Sequence, residues 1–70
     1  MVYRAEADRL IVRDVKQKLR EMRRNRKPAT WRWAVVASHG EHPEWFRHYE
    51  NMFAVEPLLR DGGVDMEEDY

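Results

Sequence analysis

The sequence predicts an all-α protein, with a long N-terminal amphipathic helix packed on a shorter helical pair and followed by an acidic C-terminal tail. Three observations carry that expectation. Apolar residues recur at helical spacing near the start, Pro28, Gly40, Pro43 and Pro57 punctuate the chain, and residues 64–70 are acidic and hold little to bury.

The first element is the clearest. Tyr3, Ala7, Leu10, Ile11, Val15, Leu19 and Met22 recur three and four residues apart, which is the apolar stripe of an α-helix. At about 100° per residue, Arg9, Arg13, Lys16, Arg20, Arg23, Arg24 and Lys27 fall on the opposite half of the cylinder. Pro28 ends the helix and biases Lys27 away from helical geometry. The element spans about residues 4 to 26, roughly 34 Å at 1.5 Å per residue.

The middle element has two readings. Thr30 suits the N-cap of a helix over Trp31–Ser38, with Gly40 stopping it in a left-handed conformation. The alternative is an α-β-α chain with residues 31–37 as a strand, since Trp31, Trp33, Val35 and Ala37 alternate onto one face. A lone strand would need another chain to satisfy its backbone groups, so that alternative implies an oligomer.

Pro43, favoured at a first helical position, opens the third element. Trp45, Phe46, Tyr49, Met52 and Phe53 extend it as a helix to about Ala54, and Pro57 limits it. Leu58 and Leu59 add a short apolar clip, and Asp61-Gly62-Gly63 reads as a turn or linker. The expected organisation is one helical domain over residues 1–60 and an acidic tail over 61–70. Asp65, Glu67, Glu68 and Asp69 give the tail its charge, and in isolation Val64–Tyr70 should be disordered.

A chain of 70 residues holds one domain at most. It hides only about 60% of the surface its unfolded form exposes, so a staple or a partner is expected. No cysteine is present, which removes disulfides and thiolate metal sites and turns the expectation towards a partner. The longest uncharged run, Trp33 to Gly40, is too short to span a membrane, so a cytoplasmic location or one within an assembly is expected.

Zero net charge hides a segregation. Arg13 to Arg32 carries nine basic residues against Asp14 and Glu21, or +7, while Glu41 to Tyr70 carries nine acidic residues against Arg47 and Arg60, or −7. Such asymmetry points to electrostatic partnering. The plainer alternative is that the two halves neutralise each other within one molecule.

Chemistry is sparse. His39, His42 and His48 offer no convergent set of three or four ligands, so no metal is expected. Ser38 lacks a spaced His–Asp pair, and Gly40, Gly62 and Gly63 form no phosphate loop. No catalytic residue, cofactor, small-molecule substrate or membrane contact is therefore expected. The basic helix face is the strongest functional feature, because its cations would neutralise a polyanion without sequence preference. A helix-turn-helix over residues 31–54 has suitable lengths, but Glu44 and Glu50 on its second helix would meet phosphates.

Six aromatic residues, Trp31, Trp33, Trp45, Phe46, Tyr49 and Phe53, exceed what a core of this size covers, so some should anchor a partner. Trp31 and Trp33, flanking Arg32, are the expected anchors. The functional expectation is a non-enzymatic adaptor or accessory subunit that binds a larger protein complex or itself. The alternative is a nucleic-acid-binding protein whose tail masks its basic helix. Size and composition would suit an accessory protein of a virus or mobile element.

Overall fold

The structure, a computed structural model, describes residues 3–67 and consists of helices and turns, with no strand among those residues. Helix α1 spans Arg4–Arg24, α2 Trp31–Glu41 and α3 Glu56–Asp61, with 3-10 turns at Pro43–Phe46 and Met52–Val55 between α2 and α3. The long helix lies against the shorter elements, as the spacing predicts. Among the described residues no helix is long and apolar enough to cross a membrane.

One strip of α1 builds the core. Ala7, Ile11, Val15 and Leu19, each four residues after the last, are buried, and Ile11, Val15 and Leu19 pack with Trp31, Ala34 and Val35 of α2 and with Phe46, Val55, Leu59 and Val64. Tyr3 is 81% exposed, so the stripe begins a turn later than its spacing suggests. The helix also stops at Arg24 rather than near residue 26. Lys27 N–H donates to the Met22 carbonyl at 2.9 Å and Arg26 N–H to that of Arg23 at 3.2 Å. This pair of bonds is a Schellman closure, and it needs a left-handed residue at its turn. Arg26 takes that role at φ 56°.

Residues 31–37 are helical, and the strand alternative is corrected. The Thr30 hydroxyl accepts the Trp33 N–H at 3.3 Å, satisfying a donor at the helix start. Helical spacing then buries Trp31, Ala34, Val35 and Ser38 together, whereas a strand would have buried Trp33, which is 61% exposed. Gly40 is not the stop, for the helix runs through it to Glu41. Pro43 ends it by holding the residue before it out of helical geometry, and His42 sits at φ −136°.

The helix expected over residues 43–54 does not form. Trp45 and Phe46 occupy one 3-10 turn and Met52 and Phe53 another, with Tyr49 in the irregular stretch between, because Asn51 restarts the chain. The Asn51 backbone is extended and its side-chain oxygen accepts the Phe53 N–H at 2.9 Å. Pro57 lies in the first turn of α3 and opens a helix instead of limiting one. A helix-turn-helix over 31–54 therefore lacks its second helix.

The C-terminal segment is tied down at its start. Val64 N–H donates to the Leu59 carbonyl at 2.9 Å and Gly63 N–H to that of Arg60 at 3.2 Å, with Gly63 at φ 79°. This second Schellman closure plugs Val64 into the core at 6% exposure, and Met66 packs on its edge. The expectation that Val64–Tyr70 has little to bury is corrected at these two residues. Gly62 at the end of α3 lies close against α1, where an added Cβ would lie 2.8 Å from a Val12 methyl.

Candidate functional site

The outer face of α1 carries the most distinctive chemistry. Arg9, Arg13, Arg20 and Arg24 are exposed there and Lys16 is half-buried. Steps of four, three, four and four residues keep these five cations on one side of the cylinder over about 22 Å, roughly one charge per 6 Å. None has an ion-pair partner among the described residues. Arg9, Arg13 and Lys16 also stand along a groove of about 490 Å³ between α1 and α3, floored by Val12 and Leu58. Asp8 and Asp61 are the carboxylates at that groove.

The other cations of the basic face have different surroundings. Arg23 donates to the Asp65 carboxylate at 3.0 Å, so the acidic segment does reach the basic helix. Lys27 lies past the helix end and lines an apolar hollow beside Trp33. The remaining tail carboxylates divide: Glu67 is exposed, and Glu68 and Asp69 lie outside the described residues.

The expected anchors Trp31, Arg32 and Trp33 also separate. Trp31 is core, 5% exposed and edge-on to Phe53 at 6.1 Å, so it has no free face for a partner. Arg32 is exposed with its guanidinium 5.1 Å from the Trp31 ring centre. Trp33 alone of the three presents a large apolar surface.

Lys18 escaped the sequence reading because it sits amid basic residues, yet it faces inward. Its ammonium meets the Glu41 carboxylate at 2.7 Å and that of Asp14 at 3.5 Å, clamping α1 to the end of α2. Burial acts to lower its pKa, but the hydrogen bond to Glu41 and the charges of Asp14 and Glu41 outweigh it, raising the pKa above the usual 10.5. The Tyr49 hydroxyl donates to Asp8, and burial first, then this bond and the Asp8 charge, raise the pKa of the phenol.

His39 and His42 serve as packing groups. His39 meets Phe46 edge-on at 5.2 Å, and His42 stacks flat on Trp45 at 3.8 Å while pairing with Glu44 at 3.3 Å. Among the described residues no three metal-ligating side chains come together. Chemically, the arrangement offers fixed positive charge along a rod rather than an enclosed centre. No protein-family model, curated protein or solved structure matches the chain.

Proposed function

We propose that the protein is a non-enzymatic adaptor or accessory subunit that docks on an acidic surface of a larger protein assembly through the outer face of α1. The line of Arg9, Arg13, Lys16, Arg20 and Arg24, without ion-pair partners among the described residues, carries this reading. Surface helices kept only for solubility usually mix both signs. A face with a strong excess of one sign steers encounter with an opposite one and fixes orientation more than it adds affinity.

The test reverses two charges that make no internal contact. Arg13→Glu with Arg20→Glu should leave the far-ultraviolet circular dichroism spectrum unchanged. In capture from the native cell after nuclease treatment, the variant should lose the proteins that the wild type retains. Retention of the same set by both would refute the reading.

Nucleic acid is the second reading, favoured by the Arg23–Asp65 contact, which is what an intramolecular mask would make. Neutralising five phosphates would give duplex DNA a log–log salt slope of about −4.5. Asp65→Asn should tighten such binding and is a cleaner test than removing Val64–Tyr70, since Val64 belongs to the core. Absence of binding to duplex and single strands at low salt would exclude this reading.

A further inference from the structure

A second surface lies away from the α1 stripe. Between the end of α1 and the outer side of α2 runs an open groove of about 410 Å³, lined by Met22, Lys27, Pro28, Trp33, Val36 and Ala37. Trp33 is 61% and Val36 38% exposed. They share the outer face of α2 with Ala37 at positions i, i+3 and i+4, away from the buried Trp31, Ala34, Val35 and Ser38. A helix that served the core alone would turn polar residues outward there. This one is apolar on both sides.

Charge indicates what covers the groove. From Met22 through Gly40 the chain carries Arg23, Arg24, Arg26, Lys27 and Arg32 and no carboxylate. A second copy seated symmetrically on this face would set Arg24, Arg26 and Lys27, which have no ion pair among the described residues, against their own copies, which opposes such self-pairing. An acidic partner meets no such repulsion. The backbone supplies an independent observation. Arg26 stands at φ 56° in a closure where α3 uses Gly63. Strained side-chain positions persist at ligand clamps, where the group they display is used. Here that group is a guanidinium next in the chain to the groove-lining Lys27.

We infer that the groove docks an acidic amphipathic helix of a protein partner. A large apolar side chain of that helix packs on Trp33, and its flanking carboxylates meet Lys27 and Arg26. Helix-in-groove recognition uses anchors one turn apart, and tryptophan commonly carries much of the binding energy. The inference shares with the proposed function an acidic protein partner, but it names a different surface, so the two fail separately.

The probe is a synthetic glutamate-rich helical peptide of roughly 16 residues with leucines at i, i+3 and i+7, long enough to hold helix in the bound state. Two controls accompany it, the same composition scrambled to disperse the leucines, and poly-glutamate. Binding is followed by the indole N–H resonances of the three tryptophans. The designed peptide should move Trp33, and neither control should. Trp33→Ser and Val36→Glu should each weaken binding by about tenfold or more, as expected for an anchor and its neighbour. Unchanged Trp31 resonances would show that both variants fold.

Lys27→Glu should weaken binding as well, while Arg13→Glu with Arg20→Glu should leave it within about twofold, as rim charges outside the contact do. Equal binding of the scrambled peptide, equal binding by Trp33→Ser, or no binding at low salt would overturn the inference. Poly-glutamate binding that depends on Arg13 and Arg20 alone would overturn it while leaving the α1 reading intact.

Discussion

Replacing Arg26 with glycine should stabilise the protein and weaken its hold on an acidic helix. Both α1 and α3 end in the same pair of bonds, at 2.9 and 3.2 Å in each case. They differ at the left-handed residue, which is Arg26 at φ 56° in one and Gly63 at φ 79° in the other. A side chain in that region costs about 1–2 kcal/mol. The extra freedom of glycine in the unfolded chain takes back about 0.4–1 kcal/mol. The net gain should be about 0.5–1 kcal/mol, because Arg26 is exposed and has no ion pair among the described residues to lose. In a domain of this size that corresponds to a rise in Tm of about 2–8 °C. Thermal unfolding followed by circular dichroism measures it, with Arg26→Ala as the control that keeps the strain and removes the charge. If alanine stabilises as much as glycine, or glycine does not stabilise, the backbone argument is wrong. If Arg26→Gly is more stable yet binds the acidic probe as tightly as the wild type, the strain is not kept for its guanidinium.

Two further substitutions probe the α1–α2 interface. Ser38 is fully buried and its hydroxyl has no hydrogen-bond partner among the described residues, so Ser38→Ala should raise the urea midpoint by the equivalent of about 1 kcal/mol; a fall would mean the hydroxyl has a partner in solution. Lys18→Met should cost about 2 kcal/mol, because it strands the Asp14 carboxylate, 15% exposed with one oxygen already unpartnered. The figure lies below that of a fully buried pair because Glu41 is 57% exposed. The pKa of Lys18 is raised on folding, so its contribution is fully present below the ordinary lysine value of 10.5 and is lost as pH rises through the folded value. Tyr49 is also raised and weakens the fold in the same alkaline sense, so the lysine is isolated by subtracting the pH profile of Lys18→Met. Parallel profiles for the two proteins would show that the clamp contributes nothing.

What the sequence reveals tracks how local the cause is. The long helix is legible because Ala7, Ile11, Val15 and Leu19 repeat a single step three times, enough to outweigh a misplaced Tyr3. In the middle element the β-favouring Trp31, Trp33, Val35 and Val36 compete with one capping hydroxyl on Thr30, and the decision falls to which face finds a core. The segment from Pro43 to Val55 is misread because Trp45, Phe46, Tyr49, Met52 and Phe53 fit helical spacing by coincidence. Phe46 reaches the core and Tyr49 reaches Asp8 on α1 from a folded-back chain that periodicity cannot register. The candidate site is readable where it depends on helix phase, as with the α1 cations. The groove beside Trp33 is not, since it requires knowing that Trp31 turns inward and its near neighbour outward.

The charge segregation acquires a physical meaning once each carboxylate is followed to its contact. If the two halves simply neutralised each other, the acidic residues would lie along the α1 face. Asp61 does stand at the groove beside Arg9, Arg13 and Lys16, but Asp14 and Glu41 hold Lys18, Asp8 holds Arg4 and Tyr49, and Glu56 holds Arg60. The acidic half reaches the basic half by ion pair at Lys18–Glu41 and Arg23–Asp65. The first of these serves the packing of α1 on α2. Carboxylates engaged in such contacts screen the outer face poorly, because an exposed charge more than about 8–10 Å away is largely shielded by physiological salt. A chain with no net charge therefore keeps Arg9, Arg13, Lys16, Arg20 and Arg24 as a local excess of positive charge, and that excess, rather than the total, is what an approaching surface meets.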